Sequence, residues 1–158
     1  TIEKMAKLVL NDLKEFSAYE GKALPMGEWI TITQEMINDF AKATLDFQWI
    51  HVDVEKATQY SPFKKPVAHG FMSVSLLSKM LGDLLQVKSV KMGVNYGLNK
   101  VRFPNAVMVD SKLRLHGKVA TIEEYPGNGV KVTWHCSVEI EEADKPACVA
   151  EFISIMFE

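Results

Sequence analysis

An aspartate and a histidine, Asp46 and His51, stand five residues apart in a short stretch that also contains Gln48. A carboxylate and an imidazole held by one loop can act on a single water, one accepting a proton from it while the other supplies a proton to a forming carbanion. Such a pair predicts general acid–base catalysis, worth roughly 10²- to 10⁴-fold per proton transfer. The spacing alone does not establish it, because about one chain in five with several histidines would contain it by chance. Taken alone, the pair is better interpreted as surface polar residues.

A second candidate group centres on Gly70, which stands directly before a long apolar stretch. Glycine has no side chain and lets a ligand approach the backbone. Free N–H groups at a helix start, with the helix dipole behind them, suit the oxygen of a thioester that is becoming an enolate. One such donor is worth roughly 3 kcal/mol in comparable oxyanion sites. Gly70 could equally serve only as a tight entry into the helix.

Helical periodicity predicts which elements hold these two groups. Thr33 can cap an amphipathic helix that should end near Asp46. A second short helix fits residues 54–60, so residues 46–53 are predicted to form an interhelical loop. Residues 71–85 are apolar on almost every side, which predicts a central helix buried on nearly all sides.

The two ends of the chain supply the remaining elements. Residues 29–33 alternate in polarity like a short strand, and after residue 85 the whole pattern changes to a period of two. These elements predict an α+β domain in which a curled antiparallel sheet wraps the central helix. An amphipathic N-terminal helix is predicted from Ile2, Met5, Leu8, Val9 and Phe16, and four long antiparallel strands from residues 94–103, 107–122, 130–140 and 147–157.

Length and composition indicate one globular domain. The chain has 158 residues, of which 47% are hydrophobic and 24% charged, so we interpret residues 1–158 as a single domain with residues 1–26 as an N-terminal helical extension. The net charge of −2, with scattered basic residues, speaks against binding to nucleic acid or to a membrane surface. The apolar stretches are too short or too polar to span a bilayer or to act as a secretory signal, so a cytoplasmic protein is expected. Cys136 and Cys148 are expected to be reduced and buried.

Three motifs in order place the candidate residues in a common context. They are Asp46-Phe47-Gln48-Trp49-Ile50-His51-Val52-Asp53, Val67-Ala68-His69-Gly70-Phe71 and Asn95-Tyr96-Gly97-Leu98-Asn99-Lys100-Val101-Arg102-Phe103-Pro104. With these motifs the chain resembles the MaoC-like acyl dehydratases, especially their NodN-like branch. The resemblance covers residues 27–158 and leaves the N-terminal helix outside it. Three ordered motifs make chance agreement implausible.

The resemblance implies a hot-dog fold, in agreement with the predicted elements. It also implies a homodimer that hydrates trans-2-enoyl-CoA to (R)-3-hydroxyacyl-CoA without a metal or redox cofactor. Asp46 and His51 match the catalytic pair that holds and activates the water, and Gly70 matches the glycine whose N–H meets the thioester carbonyl. Ser78 matches a serine near the catalytic pair in related (R)-hydratases, although its hydroxyl could instead bond back to its own helix.

Other positions near the pair need separate interpretation. Gln48 agrees with the NodN-like branch, and we place it among the substrate-binding residues. Leu45 stands where related hydratases often have glycine, which puts the turn of the loop and the width of the site in question. We interpret His69 as a structural residue that hydrogen-bonds the loop, and we assign no catalytic role to His116 or His135.

Three alternative functions use the same residues or the same fold. Asp46, His51, Asp53 and His69 could be combined into a metal site, but they lack the spacing of two ligands on one helix that zinc proteases have. A non-catalytic acyl-thioester-binding protein and an acyl-CoA thioesterase also remain, because one fold can host several functions. The interpretation that accounts for all three motifs is that the protein is a hydro-lyase acting on an acyl-CoA.

Overall fold

The computed structural model describes residues 7 to 158. Helices occupy the first half of this part of the chain, and long strands occupy the second half. The elements in chain order are β1 (Leu8–Leu10), α1 (Leu13–Ser17), β2 (Ile30–Thr31), α2 (Gln34–Thr44), α3 (Trp49–Val52), α4 (Val54–Tyr60), α5 (Gly70–Ser75), α6 (Leu77–Leu84), β3 (Leu85–Val87), β4 (Met92–Arg102), β5 (Lys112–Tyr125), β6 (Gly129–Ile140) and β7 (Cys148–Phe157).

Five of the strands form one antiparallel sheet in the order β2-β5-β6-β7-β4. Irregularities in register occur within β5, between Val119 and Thr121, and at two places in β4. Such bulges increase the twist of a strand and bend it, which curls the sheet. The four predicted long strands are confirmed, but β5 begins at Lys112 and not at residue 107. The residues just before β5 form a loop, in which Met108 makes a single bridge to Val67.

The core lies between the concave face of the sheet and helices α5 and α6. Leu77 and Leu81 of α6 are buried against sheet residues such as Leu115 and Val132. Burying a leucine or valine side chain fully is worth about 1.5–3 kcal/mol, so this inner face contributes most of the driving force for folding. The predicted arrangement of a curled sheet around a central helix is confirmed.

The central helix departs from the prediction in two respects. It divides at Leu76 into α5 and α6, although Leu76 still donates to the carbonyl of Met72 at 3.1 Å, and Leu85 begins β3 instead of ending the helix. The helix is also not buried on nearly all sides, since Phe71 is 71% exposed and Ser78 is exposed. The sheet of one chain covers only one side of this helix, so its other side remains open.

The N-terminal prediction is wrong over Leu8–Leu10, which forms a strand parallel to β3. The only helix between residues 7 and 26 is α1, which Asp12 caps by accepting from the N–H of Glu15. Phe16 on α1 is fully buried and stacks on Trp134 with ring centroids 5.8 Å apart. This segment is therefore part of the core and not a helical extension; the predicted helical positions Ile2 and Met5 lie outside the described residues.

Two further expectations concern cysteines and membranes. Cys136 and Cys148 are free and buried, as predicted, and burial raises the pKa of these thiols to about 12 and about 11. Across residues 7–158, no helix has both the length and the apolar character needed to cross a bilayer.

Candidate active site

Helix α2 delivers the chain to the first predicted catalytic residue. Thr33 caps this helix by accepting from the N–H of Met36 at 3.2 Å, as predicted, and the helix ends at Thr44. Leu45 then adopts the left-handed conformation, with φ 61° and ψ 23°, and reverses the chain direction. Its side chain is 79% exposed and extends into solvent. The left-handed conformation of Leu45 is the one that glycine commonly adopts at the end of a helix. Asp46 follows directly.

The stretch that was predicted as a loop contains the single-turn helix α3. Gln48 stands before this helix, and its backbone N–H donates to the Asp46 carboxylate at 3.3 Å, which orients the carboxylate. The turn of α3 directs His51 inward, where the residue is only 7% exposed. Asp53 ends α3 and caps α4 through a 2.9 Å bond from the N–H of Lys56, so Asp53 has a structural role. The prediction of an irregular connector is therefore wrong for Trp49–Val52.

One nitrogen of the His51 ring is fixed by the backbone. Nδ1 lies 2.5 Å from the carbonyl oxygen of Val67. Because a carbonyl oxygen only accepts, Nδ1 must carry the proton in this bond, which leaves Nε2 of the neutral ring with a free lone pair. The carbonyl of His51 itself accepts from the Gln34 side chain at 2.8 Å, so the residue is held from both its ring and its backbone.

The surroundings of His51 favour the neutral ring. Burial lowers the pKa of His51 below its ordinary value, because the charged form loses solvation. The hydrogen bond to Val67 opposes this shift, the neighbouring His69 adds to it, and the Asp46 charge opposes it. A neutral imidazole with one free lone pair can act as a general base at neutral pH.

His69 ties the start of α5 to the loop that carries Asp46. Its ring is 4% exposed, stacks on the His51 ring with centroids 3.8 Å apart, and contacts Phe40 at 4.9 Å. Its Nε2 lies 2.9 Å from the backbone carbonyl of Asp46, which is the loop hydrogen bond predicted for this residue. Its Nδ1 is buried without a hydrogen-bond partner among the described residues.

Asp46, His51 and His69 form one polar cluster. Each presents one carboxylate oxygen or ring nitrogen within 4.8 Å of those of the other two. The Asp46 side chain is about half exposed, whereas both rings are buried. The cluster therefore faces solvent through its carboxylate and is backed by protein on the imidazole side, an arrangement that can hold a water at the edge of an apolar wall.

Gly70 is brought next to this cluster. It lines a cavity of about 340 Å³ together with His51, Ser73 and Phe103. As the first residue of α5 it has no intrahelical acceptor for its N–H. A Cβ at this position would lie 2.8 Å from the Phe103 ring, so only glycine fits without displacing that ring. Both interpretations of Gly70, close ligand approach and tight packing, therefore find support in its surroundings.

Ser78 lies elsewhere along the helix. It is eight residues beyond Gly70, about 12 Å at 1.5 Å per residue, and it lines cavities other than the one lined by His51. Its hydroxyl donates to the Asn95 side chain at 3.1 Å, so the alternative of a bond back to its own helix is wrong. The chain thus brings Asp46, His51 and Gly70 together and places Ser78 about two turns away.

Sequence reasoning missed Gln34 and Val67, which hold His51 in place. Gln34 is one polar residue among several in the first turn of α2, and Val67 acts through its backbone carbonyl, which no side-chain pattern reports. His116 and His135, to which no catalytic role was assigned, each lie near a glutamate: His116 contacts Glu139 at 2.6 Å, and His135 lies 3.8 Å from a glutamate on the neighbouring strand.

A curled antiparallel sheet around a central helix is the hot-dog arrangement, and the polar cluster lies beside the start of that helix. A family model described as the MaoC like domain matches residues 15–139, and the chain belongs to this family. It is 45% identical over 139 residues to 3-hydroxyacyl-thioester dehydratase Z of Mycobacterium tuberculosis, covering 88% of this chain and 91% of that protein. It is 39% identical over 137 residues to nodulation protein N of Rhizobium leguminosarum bv. viciae, covering 86% and 85%, which confirms the NodN-like resemblance.

A solved structure of the same fold is the unliganded R-hydratase PhaJ1 from Pseudomonas aeruginosa. The two superpose with a TM-score of 0.67 at 22% identity, over 88% of this chain and 82% of that one. This likeness confirms the hot-dog fold. The family match and the dehydratase relative identify the chain as a hydratase or dehydratase enzyme.

Proposed function

We propose that this enzyme reversibly adds water to trans-2-enoyl-CoA thioesters to give (R)-3-hydroxyacyl-CoA, using Asp46 and His51. The observation that carries the proposal is that the Asp46 carboxylate lies in one cluster with a neutral imidazole whose Nε2 is free, and that this same His51 lines a small cavity together with Gly70. The dehydratase name of the mycobacterial relative supports the same reaction class.

The proposed step uses one water and one face of the substrate. The water donates one hydrogen bond to the Asp46 carboxylate and the other to Nε2 of His51. As its oxygen bonds to C3, Nε2 accepts the proton and the double-bond electrons move toward the thioester oxygen. The imidazolium then returns the proton to C2, so the elements of one water are added and His51 is again neutral. Dehydration is the same sequence in reverse.

The thioester oxygen gains negative charge during this step and needs a donor. The N–H of Gly70 is unsatisfied within its helix, and Gly70 lines the same cavity as His51, so this N–H can take the role. Gln48 is proposed to contact the substrate at the exposed side, beside the carboxylate that its own backbone orients.

The proposed step needs no cofactor. Asp46, His51 and His69 could also offer donor atoms to a metal, but Nδ1 of His51 is bonded to Val67 and Nε2 of His69 to the Asp46 carbonyl. Each ring therefore has only one nitrogen left that could bind a metal, and the one on His69, Nδ1, is buried. The hydratase chemistry uses the available Nε2 of His51 directly.

We further propose a homodimer joined along β4. This strand is eleven residues long and forms one edge of the sheet, and within residues 7–158 its outer side has no partner strand. Met92, Tyr96 and Leu98 on it are between 45% and 57% exposed. A long, apolar, unprotected edge is a template for pairing with another chain, and a second copy offers the same edge. Such a dimer would also cover the open side of α5 and α6.

The direct test is loss of enoyl absorbance on hydration of crotonyl-CoA. The wild-type enzyme should catalyse it, and Asp46→Asn and His51→Gln should each lower kcat/KM by roughly 10²- to 10⁴-fold. Glu55→Gln, an exposed carboxylate on α4, is the matched control and should retain full activity. Asp46→Asn with wild-type activity would remove Asp46 from the reaction, and release of free CoA thiol without hydration would indicate a thioesterase.

A further inference from the structure

The central helix lines three cavities in succession, of which the first is the one at the candidate active site. Gly70 and Ser73 line the cavity shared with His51. Val74 and Ser78 line the next cavity, of about 280 Å³. Ser78 and Gly82 line a third, of about 470 Å³. Successive positions in this series are three or four residues apart, so each lies near the next on the helix surface.

Strand β4 forms the opposite wall in the reverse order. Phe103, just after the strand, lines the first cavity, Leu98 lines the second, and Gly93 lines the third. The Asn95 side chain, which accepts from Ser78, lines both the second and the third. The second and third cavities therefore join at the Ser78–Asn95 pair.

The third cavity owes its width to two glycines. An added Cβ at Gly82 or at Gly93 would find no heavy atom within 4 Å. Glycine is a poor residue for a helix interior, and the surroundings of Gly82 do not require it. An open space beside a helical glycine is what close approach of a ligand needs.

A fixed aromatic residue, Trp134, lines this cavity. Trp134 is 3% exposed, and its indole N–H donates to the Ser154 hydroxyl at 2.8 Å. On its other side it stacks on the buried Phe16. Because both the ring face and the N–H are held, Trp134 forms a rigid floor.

We propose that the enzyme prefers enoyl chains of about ten carbons or more, whose ends pass the Ser78–Asn95 pair and enter the cavity bounded by Gly82 and Trp134. This inference rests on the proposed function and specifies its substrate. The thioester at Gly70 lies about 12 Å along the helix from Ser78. An extended chain of about 1.5 Å carbon–carbon bonds advances roughly 1.3 Å per bond, so about nine carbons are needed to reach Ser78. Shorter chains leave the third cavity empty.

The test compares crotonyl-CoA with trans-2-dodecenoyl-CoA in three proteins. Wild-type kcat/KM should be at least tenfold higher for the twelve-carbon substrate. Gly82→Leu should fill the cavity, lowering kcat/KM for the twelve-carbon substrate at least tenfold while changing that for crotonyl-CoA less than twofold. Gly82→Ala is the control, because it also improves the helix but fills little space, and it should stay within threefold of wild type on both substrates.

The inference is overturned if the wild type does not favour the longer chain, or if Gly82→Leu lowers both rates equally or neither. If the enzyme hydrates none of these substrates, the proposed function is wrong. The preference for long chains is then tested separately by measuring the binding of saturated acyl-CoA ligands. Calorimetry with dodecanoyl-CoA and butyryl-CoA should still show tighter binding of the longer chain and its selective loss, by at least tenfold, in Gly82→Leu. Equal affinities for the two ligands in the wild type would refute it.

Discussion

The proposed role of His51 depends on a contact that belongs to the backbone. Val67 accepts from Nδ1 and so leaves Nε2 as the free nitrogen, while burial keeps the ring neutral. The carboxylate of Asp46 remains about half exposed beside it. One group is thus prepared as a base and the other as an anion that orients water, although both come from a stretch of six residues.

The pH dependence follows from the direction of the His51 pKa. Since burial lowers this pKa, the neutral base should persist below pH 6.5, the ordinary value for imidazole. The acid limb of kcat/KM for crotonyl-CoA should therefore have its midpoint below 6.5. The same direction applies to the free energy of unfolding. The contribution of neutral His51 to it is fully present at pH values above the pKa of the unfolded state, and it is lost as the pH falls through the lower pKa of the folded state. A midpoint at or above 6.5 would contradict the assignment of His51 as the base.

Residue types predicted part of this site but not its arrangement. Asp46, His51 and Gly70 could be chosen because their side chains, or the lack of one, have chemistry of their own. The hydrogen bond from His51 to the Val67 carbonyl could not be predicted, because every residue has a backbone carbonyl. The position of Ser78 was also missed, since its partner Asn95 lies on a strand seventeen residues away.

At the scale of elements, the end of α2 contains a strained residue. Leu45 has φ 61°, and a residue with a Cβ pays about 1–2 kcal/mol in the left-handed region. Leu45→Gly removes this strain, loses little packing because the side chain is 79% exposed, and costs about 0.5–1 kcal/mol in conformational entropy. We expect a net stabilisation of up to about 1.5 kcal/mol in urea unfolding. Leu45→Ala keeps the Cβ and should show no such gain; equal effects of the two would contradict the strain argument.

The start of α5 allows the two interpretations of Gly70 to be separated. Gly70→Ala places a Cβ 2.8 Å from the Phe103 ring, so it should lower both stability and activity. Phe103→Ala in the same chain removes the clash and should restore much of the stability. If Gly70 also admits the thioester to its N–H, kcat/KM should remain at least tenfold reduced in the double variant relative to Phe103→Ala alone. Full recovery would mean that Gly70 serves packing only.

Local patterns predicted the elements whose partners are nearby. Val54–Tyr60 and the Thr33 cap were predicted correctly because their signals lie within a few residues. The strand Leu8–Leu10 was not predicted, because its partner Leu85–Val87 lies far along the chain and its own apolar residues fit a helix equally well. The same pairing explains why Leu85 leaves the central helix. Pairings at long sequence separation are set by the whole fold and not by periodicity.

At the scale of the whole molecule, the open edge of β4 sets an expectation for assembly. The wild type should behave in light scattering as a particle of twice 17.8 kDa. Tyr96→Lys places a charge in the middle of the proposed interface and should weaken the dimer at least a hundredfold, because a buried unpaired charge costs several kcal/mol. Tyr60→Lys, on the 72% exposed Tyr60 of α4, is the control and should remain dimeric. A monomeric wild type at micromolar concentration would refute the interface.

The central claim is that Asp46 and His51 act on one water at one face of the enoyl thioester. The most direct measurement is hydration of crotonyl-CoA in D₂O, with the relative configuration at C2 and C3 read from proton coupling in the product. Because His51 returns to C2 the proton it took from the attacking water, the deuterium and the new hydroxyl should be added to the same face. Deuterium on the opposite face, or on both faces equally, would contradict it.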